Sequence, residues 1–523
     1  MRKFFIIMAL LMLAVTIRAA SFKSNGICYY VTSDSTVKVL PNGSTSSGGG
    51  IGLSNGYEGE IVIPATVTYS GVEYTVTAVG EEAFSFSPKL TSVSIPATVT
   101  DLGSEPFASC GKLTAITVDP DNPTYESLDG VLYNENITTV IACPGAMSGA
   151  LTLPATVNTV AVSAFYGCSR LTSITLPASV TEIGENAFRS CTLLQSVNIP
   201  DGVTEIKDYL CYGCSSLVST NIPDRVVKIG NSAYSNCKKL QTMTLPSSLK
   251  TIGDRAFELC SSFVEMIVPE GVTSIGDFAM MSCSKMKKLS LPASLDNLGI
   301  GAFRLCLALP KIDLAEGNKS FAVENGMLFD ADTTSFICCP AGYKGECVIP
   351  STVTVIEDYA FYYCKNVTSI KLPKNLVAIR TAAFVNCSSL KSIIIPNSVV
   401  TIGVSAFVSC SNLSTIVCQA STPPAIAKEP FSSAIYQKVT LYVPASSEEL
   451  YSTTDFWKNF LARGLIGDVN QDGHVNVVDI MVMVNYVLGN AVVEFEPWAG
   501  DVNYDEIVNV TDIMGVVRIC LSM

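Results

Sequence analysis

Residues 171–191 read LTSITLPASVTEIGENAFRSC, and this stretch decides the fold because the same pattern recurs along the chain. Its first half places Leu171, Ile174 and Leu176 at the spacing of a strand that buries one face. Pro177 follows directly and ends the strand, because proline lacks the N–H donor that a sheet ladder needs. Gly184 permits a tight bend further along. The stretch therefore predicts one coil of a repeating structure, built from a strand and a return turn.

The repeat length follows from the spacing of the cysteines, which are 23 residues apart except where a longer segment is inserted. The cysteines of this series are Cys110, Cys168, Cys191, Cys214, Cys237, Cys260, Cys283, Cys306, Cys364, Cys387 and Cys410. An aromatic residue or a substitute stands three positions before each one, and with Ser87 opening the series the pattern occurs twelve times. One such coil cannot bury its own apolar edge. Stacked coils bury a continuous core and align their strands about 4.8 Å apart in a parallel sheet.

The pattern Leu-x-x-Ile-x-Leu-Pro, Ile-Gly and Ala-Phe-x-x-Cys resembles the BspA-type leucine-rich repeats of bacterial surface proteins, over residues 60–445. The resemblance implies a β-rich leucine-rich-repeat solenoid with a parallel sheet, and ligands on cell surfaces or in the extracellular matrix. Ser, Thr, Asn and Lys occupy most solvent-facing strand positions, which predicts an extended polar face for a host or cell-surface protein or glycan. Ser and Thr also suit exposed strand positions without any ligand.

Residues 1–20 are predicted to be a secretory signal peptide, because two basic residues precede an apolar run that ends in small residues. No other apolar stretch approaches the roughly 18 residues of a spanning helix, so the chain is not expected to span a membrane after cleavage. We expect a secreted, surface-associated protein. Residues 21–80 are predicted to form an N-terminal β cap, 81–445 the solenoid, and 446–466 a cap or linker with a closing helix.

Two insertions interrupt the repeat, near residues 119–150 and 315–346. They match at an offset of 196 residues, so that Gly130-Val-Leu-Tyr corresponds to Gly326-Met-Leu-Phe. Each has apolar stretches on either side of a polar turn and predicts a β-hairpin. A plain loop and a protruding binding element remain alternative roles for it.

Nineteen cysteines in an exported protein usually indicate disulfides. Here their regular position beside the aromatic residue predicts a buried ladder of free thiols that pack as small apolar side chains. Disulfides between neighbouring coils remain an alternative on distance grounds. Apolar burial disfavours the thiolate, so reactive cysteines are not expected.

The C-terminal segment 467–523 contains a duplicated acidic motif, GDVNQDGHVNVVD at 467–479 and GDVNYDEIVNVTD at 500–512. Oxygen-bearing side chains fall at loop positions 1, 3, 5, 9 and 12, as in a calcium-binding EF-hand loop, so two Ca²⁺ ions are predicted. The predicted ligands are Asp468, Asn470, Asp472, His474 (backbone carbonyl), Asn476 and Asp479 in the first loop, and Asp501, Asn503, Asp505, Ile507 (backbone carbonyl), Asn509 and Asp512 in the second. Gly473 gives the first loop its sharp turn, whereas Glu506 occupies that position in the second.

Each loop leads into an apolar helical pattern with no helix before it, and this double loop-helix arrangement resembles a type I dockerin domain. The resemblance implies a cohesin-like partner for residues 467–523. In that family, loop positions 10 and 11 help to select the cohesin. They are Val477-Val478 and Val510-Thr511 here, in place of the usual polar pairs. Docking of the domain against its own solenoid is the alternative.

Composition excludes several functions. The net charge of −13 and the lack of basic clusters argue against nucleic-acid binding. The single histidine, His474, lies in a predicted calcium loop, which excludes Ser-His-Asp and Cys-His catalysis and His-ligated zinc. A carboxylate pair for glycoside hydrolysis is the remaining catalytic alternative. The acidic residues occupy irregular, mostly solvent-facing repeat positions, so no enzyme is predicted.

Two functions remain. The first is an adhesion-type surface protein whose solenoid binds a host or neighbouring-cell partner. The second is a non-catalytic component of a dockerin–cohesin polysaccharide-degrading assembly, with the solenoid binding carbohydrate. Binding of a matrix protein without glycan binding would favour the first, and a cohesin-bearing protein in the same genome would favour the second.

Overall fold

The computed structural model describes residues 21–44, 56–490, 495–505 and 507–522. The predicted signal peptide and Glu506 lie outside these residues. The chain divides into two compact units, 1–263 and 264–523. None of the helices in the described part of the chain has the length and hydropathy of a membrane span.

The first unit begins with a mixed sheet and continues with short strands contributed by successive coils. Strands β1, β2 and β3 pair antiparallel, β3 pairs parallel with β6, and β5 returns antiparallel to β6. The strands are β1 (Ser21–Ser24), β2 (Ile27–Val31), β3 (Thr36–Leu40), β4 (Glu58–Val62), β5 (Thr66–Tyr69), β6 (Val72–Val79), β7 (Lys89–Ile95), β8 (Asp101–Leu102), β9 (Ala115–Val118), β10 (Tyr125–Leu128), β11 (Val131–Asn134), β12 (Thr139–Ala142), β13 (Ser148–Thr152), β14 (Thr159–Val160), β15 (Arg170–Thr175), β16 (Glu182–Ile183), β17 (Ser196–Val197), β18 (Glu205–Ile206), β19 (Ser219–Thr220), β20 (Lys228–Ile229) and β21 (Thr251–Ile252).

The second unit continues the same architecture and ends in a small helical domain. Its strands are β22 (Glu265–Ile267), β23 (Ser274–Ile275), β24 (Lys288–Leu291), β25 (Asn297–Leu298), β26 (Asp313–Leu314), β27 (Phe321–Glu324), β28 (Met327–Asp330), β29 (Ser335–Cys338), β30 (Gly345–Val348), β31 (Val355–Ile356), β32 (Val367–Lys371), β33 (Ala378–Ile379), β34 (Ser392–Ile395), β35 (Thr401–Ile402), β36 (Thr415–Cys418), β37 (Ala425–Ile426), β38 (Thr440–Pro444) and β39 (Ala462–Ile466). Its helices are α1 (Ser433–Lys438), α2 (Glu448–Thr453), α3 (Val477–Val487), α4 (Pro497–Gly500) and α5 (Val510–Ser522).

Most coils contribute to two parallel ladders, whereas the sequence pattern predicts only one. The expected ladder joins the Leu-x-x-Ile strands, for example Ser173 with Ser196 across β15 and β17. The second ladder joins two-residue strands that end at the Ile of the recurring Ile-Gly pair, so that Val160 pairs with Ile183. Two residues are too few to show a strand period. Both flanks of the coil are therefore hydrogen-bonded to the neighbouring coils.

Gly184 is required by close packing between coils rather than by the turn geometry that its position suggests. A Cβ atom there would lie 2.5 Å from the backbone nitrogen of Val162 in the preceding coil. The left-handed backbone conformations of the same coil belong to Asn186 and Ser190, at φ of 57° and 59°. Asn tolerates this region better than most residues do.

The two insertions differ from simple hairpins. The predicted pair of strands is present as β11 with β12 and as β28 with β29, but a further antiparallel strand, β10 or β27, precedes each pair. The last strand of each insertion joins the second ladder of the solenoid in parallel, β12 to β14 and β29 to β31. The insertions are thus built into the stack of coils.

Aromatic rings from neighbouring coils stack in short columns inside each unit. Phe165 and Phe188 stack with their centroids 5.5 Å apart, and Phe384 and Phe407 stack at 5.1 Å. All four rings are buried, and each lies three residues before its ladder cysteine. Such offset stacking adds about 0.5–1.5 kcal/mol per pair beyond the burial of area.

The repeat cysteines form the buried ladder of free thiols that the spacing predicts. All nineteen cysteines lie in the described residues and none forms a disulfide. Ladder thiols donate to carbonyls in the preceding coil, as from Cys191 Sγ to Phe165 O at 3.1 Å and from Cys387 Sγ to Phe361 O at 3.2 Å. Cysteine thus fills a small apolar site and also satisfies a buried backbone acceptor.

We expect a thiol reagent to label part-exposed cysteine in the native protein and to leave the buried ladder cysteines unlabelled. Burial raises the pKa of Cys260 and Cys306 to about 12, so at neutral pH only about one thiol in 10⁵ is ionised there. Cys338 and Cys520 are the part-exposed cysteines, but burial raises the pKa of the Cys338 thiol, which leaves Cys520 as the reactive one. Ellman's reagent should label Cys520 in the native protein and all nineteen thiols after denaturation. Cys520→Ser should remove the fast phase, and rapid labelling of several ladder thiols would contradict their burial.

The end of the solenoid contains the helix α2 and a strand that was not predicted. β39 follows this helix and pairs in parallel with β38, so the sheet continues after it. The core is closed by Tyr451, Trp457 and Phe460, all buried. Trp457 Nε1 donates to Pro424 O at 3.0 Å, and Tyr451 Oη donates to Ala420 O at 2.8 Å. β39 then leads directly into the first acidic loop.

Candidate calcium-binding domain and solenoid face

The first acidic loop is closed by the side chain of Asp479, one turn into α3. Its carboxylate accepts N–H bonds from Val469 at 2.8 Å, from Asn470 at 3.1 Å and from Asn476 at 2.8 Å. Asn476 is the N-cap, and its Oδ1 accepts from the Val478 N–H at 2.8 Å. This reciprocal capping box fixes the loop against the start of the helix.

The opposite side of the loop is held by Asp468, which is also buried. Its carboxylate accepts from the N–H of Asp472 at 3.1 Å and of Gly473 at 2.8 Å. Burial raises the pKa of Asp468; the Gly473 N–H opposes this effect and the Asp479 carboxylate adds to it. Gly473 has a φ of 87°, which explains glycine at this turn position.

The second loop repeats this geometry 33 residues later. Asp512 accepts from the N–H of Asn503 at 3.2 Å and of Asn509 at 3.0 Å, and Asp501 accepts from the N–H of Asp505 at 3.0 Å. Asp501, Asp505 and Asp512 each place one carboxylate oxygen within 4.8 Å of the others. Three convergent carboxylates at this spacing match the oxygen ligands of a Ca²⁺ ion.

The remaining predicted ligands lie on the same loops. His474 and Ile507 turn their carbonyls toward the Nδ2 groups of Asn476 and Asn509, each at 3.3 Å. Asn470 Nδ2 donates to Asp472 Oδ2 at 2.9 Å, and the equivalent contact, from Asn503 Nδ2 to Asp505 Oδ2, is 3.0 Å. The structure therefore gathers the six positions of each motif into one loop.

The chemistry of these loops suits a cation. Asp468, Asp479 and Asp512 are buried, and among the described residues none of them forms an ion pair with Lys or Arg. Buried carboxylates are costly unless they are paired or coordinate a metal. The backbone N–H donors compensate only part of this cost, so a hard divalent cation with oxygen preference fits both loops.

Comparison with known families identifies both parts of the chain. The model of the BspA type leucine rich repeat region matches six copies, over residues 66–143, 148–241, 204–325 and 334–455. The chain belongs to the BspA-type leucine-rich-repeat family. The model of the dockerin type I domain matches residues 466–519. Dockerin type I domains bind calcium and cohesins.

Several solved structures are similar to this BspA-type protein. A leucine-rich repeat protein from Bacteroides ovatus is 26% identical, with 85% of this chain and 99% of that chain covered and a TM-score of 0.45. A leucine-rich repeat protein from Eubacterium ventriosum is 24% identical, with 62% and 76% covered and a TM-score of 0.43. A leucine rich cell surface protein from Faecalibacterium prausnitzii is 24% identical, with 79% and 94% covered and a TM-score of 0.33. Comparison with curated proteins gave no match.

These two families define the general character of the chain. A BspA-type solenoid with a dockerin domain is a protein-interaction or cell-surface module. Both families are non-catalytic and are typical of extracellular or surface proteins of bacteria.

The dockerin domain has a small core and a duplicated exposed apolar surface. Val469, Val475, Met483, Ala499 and Val516 form the buried core. We define the apolar stripes as the exposed side chains Val477, Val478, Met481, Val484 and Leu488 on α3, with Val510, Met514 and Leu521 at equivalent positions on α5. Large exposed apolar patches usually mark interaction sites.

The strand face of the BspA-type solenoid carries the predicted polar rows. In the first unit, Ser173, Ser196 and Ser219 stand in register on β15, β17 and β19. Asn198 and Asn221 bridge neighbouring strands: each Oδ1 accepts a backbone N–H and each Nδ2 donates to a carbonyl of the preceding coil. An open groove of about 430 Å³ follows these rows.

The outer turns also carry an arginine–tyrosine cluster that sequence reasoning missed. The Arg189 guanidinium lies 5.0, 5.4 and 5.1 Å from the ring centroids of Tyr166, Tyr209 and Tyr212. In the second unit Arg304 lies over Tyr359 and Tyr362 in the same way. Part of the signal was present at the position after the core aromatic or its substitute, which holds Tyr166, Arg189, Tyr212, Arg304 and Tyr362. Stacked Arg–Tyr contacts of this kind stabilise the turns.

Proposed function

We propose that this protein is a secreted, non-catalytic recognition protein of a bacterial surface. Its solenoid presents the polar strand face to a protein or glycoconjugate. Residues 467–523 bind two Ca²⁺ ions through the twelve residues named above and attach the chain to a cohesin-like partner. The observation that carries the proposal is the convergence of three carboxylates in the second loop, together with the buried Asp468 and Asp479 of the first loop, directly before two helices with equivalent apolar stripes.

Calcium links the loops to the docking surface. Asp479 and Asp512 each close an acidic loop and also occupy the first turn of a helix, so cation binding fixes the start of α3 and α5. Val477 and Val510 stand at these helix starts and are 64% and 63% exposed. An apolar pair in place of the usual polar pair favours a cohesin-like partner with an apolar contact surface.

Capture of a surface protein by the full chain is expected to require both calcium and these valines. Immobilised protein should retain a partner from a cell-surface extract in calcium and release it in chelator. Val477→Asp combined with Val510→Asp should abolish retention, because each change buries an unpaired charge at the contact. Val400→Asp is the matched control, since Val400 is 56% exposed on the solenoid. Retention that persists in chelator, or survives the double change, would refute the docking role.

A further inference from the structure

A cleft of about 420 Å³ lies within the second unit, between the strand face of the solenoid and the second calcium loop of the dockerin domain. One wall is formed by β32 and β34 with the segment between them, including Ser369, Lys374 and Ser392. The facing wall is formed by Trp498 and Tyr504. Ligand pockets usually have a volume of about 300–1,000 Å³, and this cleft lies within that range. Its volume corresponds to roughly two or three sugar rings.

The aromatic wall is specific to the second half of the duplicated domain. The offset of 33 residues pairs Trp498 with Leu465 and Tyr504 with Gln471. Trp498 lies edge-on against the solenoid residue Tyr442, with ring centroids 4.4 Å apart. Tyr504 is half-buried, and its backbone has the same left-handed conformation as that of Gln471, so the two halves differ here in the side chain. The two halves thus differ where the second one meets the solenoid.

The solenoid wall offers the complementary polar groups. Ser369 and Ser392 supply hydroxyls, Gln419 supplies an amide, and Lys371 and Lys374 supply ammonium donors. The strands of this wall pair on their other sides, β32 with β30 and β34 with β36. A sugar ring has one apolar face for stacking on an aromatic side chain and a rim of hydroxyls that both donate and accept. These two kinds of surface face each other across the cleft.

We propose that this cleft binds a short saccharide segment, and that calcium in the second loop fixes its aromatic wall. Tyr504 stands between Asn503 and Asp505, two of the predicted ligands, so ordering of that loop orders the ring. Asp501 also lines the cleft. The inference deepens the proposed recognition function, on which it rests, by naming a ligand class and a position for it.

The test uses the full chain on a printed array of plant, microbial and mucin-type oligosaccharides, with calcium and with chelator. We expect calcium-dependent binding of a subset of glycans. Tyr504→Gln and Trp498→Leu, which install the residues of the first half, should each weaken binding at least tenfold. Lys374→Ala changes the other wall without touching a calcium loop and should also weaken it. Lys428→Ala, an exposed lysine outside the cleft, is the control.

Two results would overturn the inference. One is the absence of binding to any arrayed glycan. The other is glycan binding that the three cleft variants leave unchanged, which would place the ligand elsewhere on the solenoid and leave the proposed recognition function intact. Calcium-dependent capture of a surface protein is measured separately, so failure of the docking role and failure of the cleft are distinguishable.

Discussion

Replacing both Asp479 and Asp512 with alanine is expected to abolish calcium binding and to unfold residues 467–522. Asp479 alone holds three backbone N–H groups, and each buried donor left without a partner costs about 1–3 kcal/mol. The core of this domain is small, so it cannot compensate for losses of this size in both loops. Calorimetry and circular dichroism should show that the thermal unfolding transition of the C-terminal domain is lost and that of the solenoid is retained.

Two controls distinguish loss of the carboxylate charge from loss of its hydrogen bonds, and both from loss of any surface carboxylate. Asp479→Asn with Asp512→Asn keeps the side-chain size and an acceptor oxygen but weakens the cation site. It should lower calcium affinity more than it lowers stability without calcium. Asp455→Ala removes an exposed carboxylate outside the loops and should change neither property. Loss of the solenoid transition in the alanine variant would mean that the domain and the solenoid fold as one unit, through β39 and the contact between Tyr442 and Trp498.

Alkaline pH is expected to unfold the solenoid through its thiol ladder. Burial raises the pKa of Cys110, Cys260, Cys306 and Cys410 from 9.0 to about 12. The folded state therefore holds protons that the unfolded state releases. This stability is fully present below pH 9 and is lost as the pH rises toward 12. In that window, each such thiol lowers the free energy of unfolding by about 1.4 kcal/mol per pH unit. The four thiols together lower it by about 5 kcal/mol per pH unit.

The loss is comparable to the whole stability of an ordinary domain within two pH units, so we expect cooperative unfolding between about pH 9 and pH 11. Circular dichroism against pH, in reducing buffer, should show this transition and its reversal at pH 7. Cys520→Ser is the matched control, because Cys520 is part-exposed and lies outside the ladder. The pH midpoint of unfolding of this variant should equal that of the unchanged protein. Native circular dichroism retained at pH 12 would contradict a ladder of buried neutral thiols.

The repeat was predictable because the residues that define it lie close together in the sequence and recur in coil after coil. Phe188 and Cys191 lie three residues apart in the same turn, so their partnership recurs with every 23-residue period. The ring column and the thiol ladder follow from stacking these equivalent positions. The acidic loops were predictable for a similar reason, since Asp468 to Asp479 act within twelve consecutive residues.

The parts that escaped prediction depend on contacts between distant segments. Gly184 looks like a turn residue, but its requirement comes from Val162 in the neighbouring coil. β39 carries no strong strand pattern and is defined by its pairing with β38. Trp498 and Tyr504 differ from their counterparts in the first half, yet only the fold shows that both face the solenoid. A comparison of the two halves of the dockerin domain would have singled out Trp498 and Tyr504, but it would not have shown that they face the solenoid.

Calcium titration of the full, calcium-free chain by isothermal calorimetry tests the central claim most directly. The account predicts two ions per chain, heat released as the C-terminal helices become fixed, and one ion per chain in a variant with only Asp512→Ala. A chain that binds no calcium, or that still binds two ions after Asp479 and Asp512 have both been replaced with alanine, would contradict a calcium-stabilised docking domain on a BspA-type solenoid.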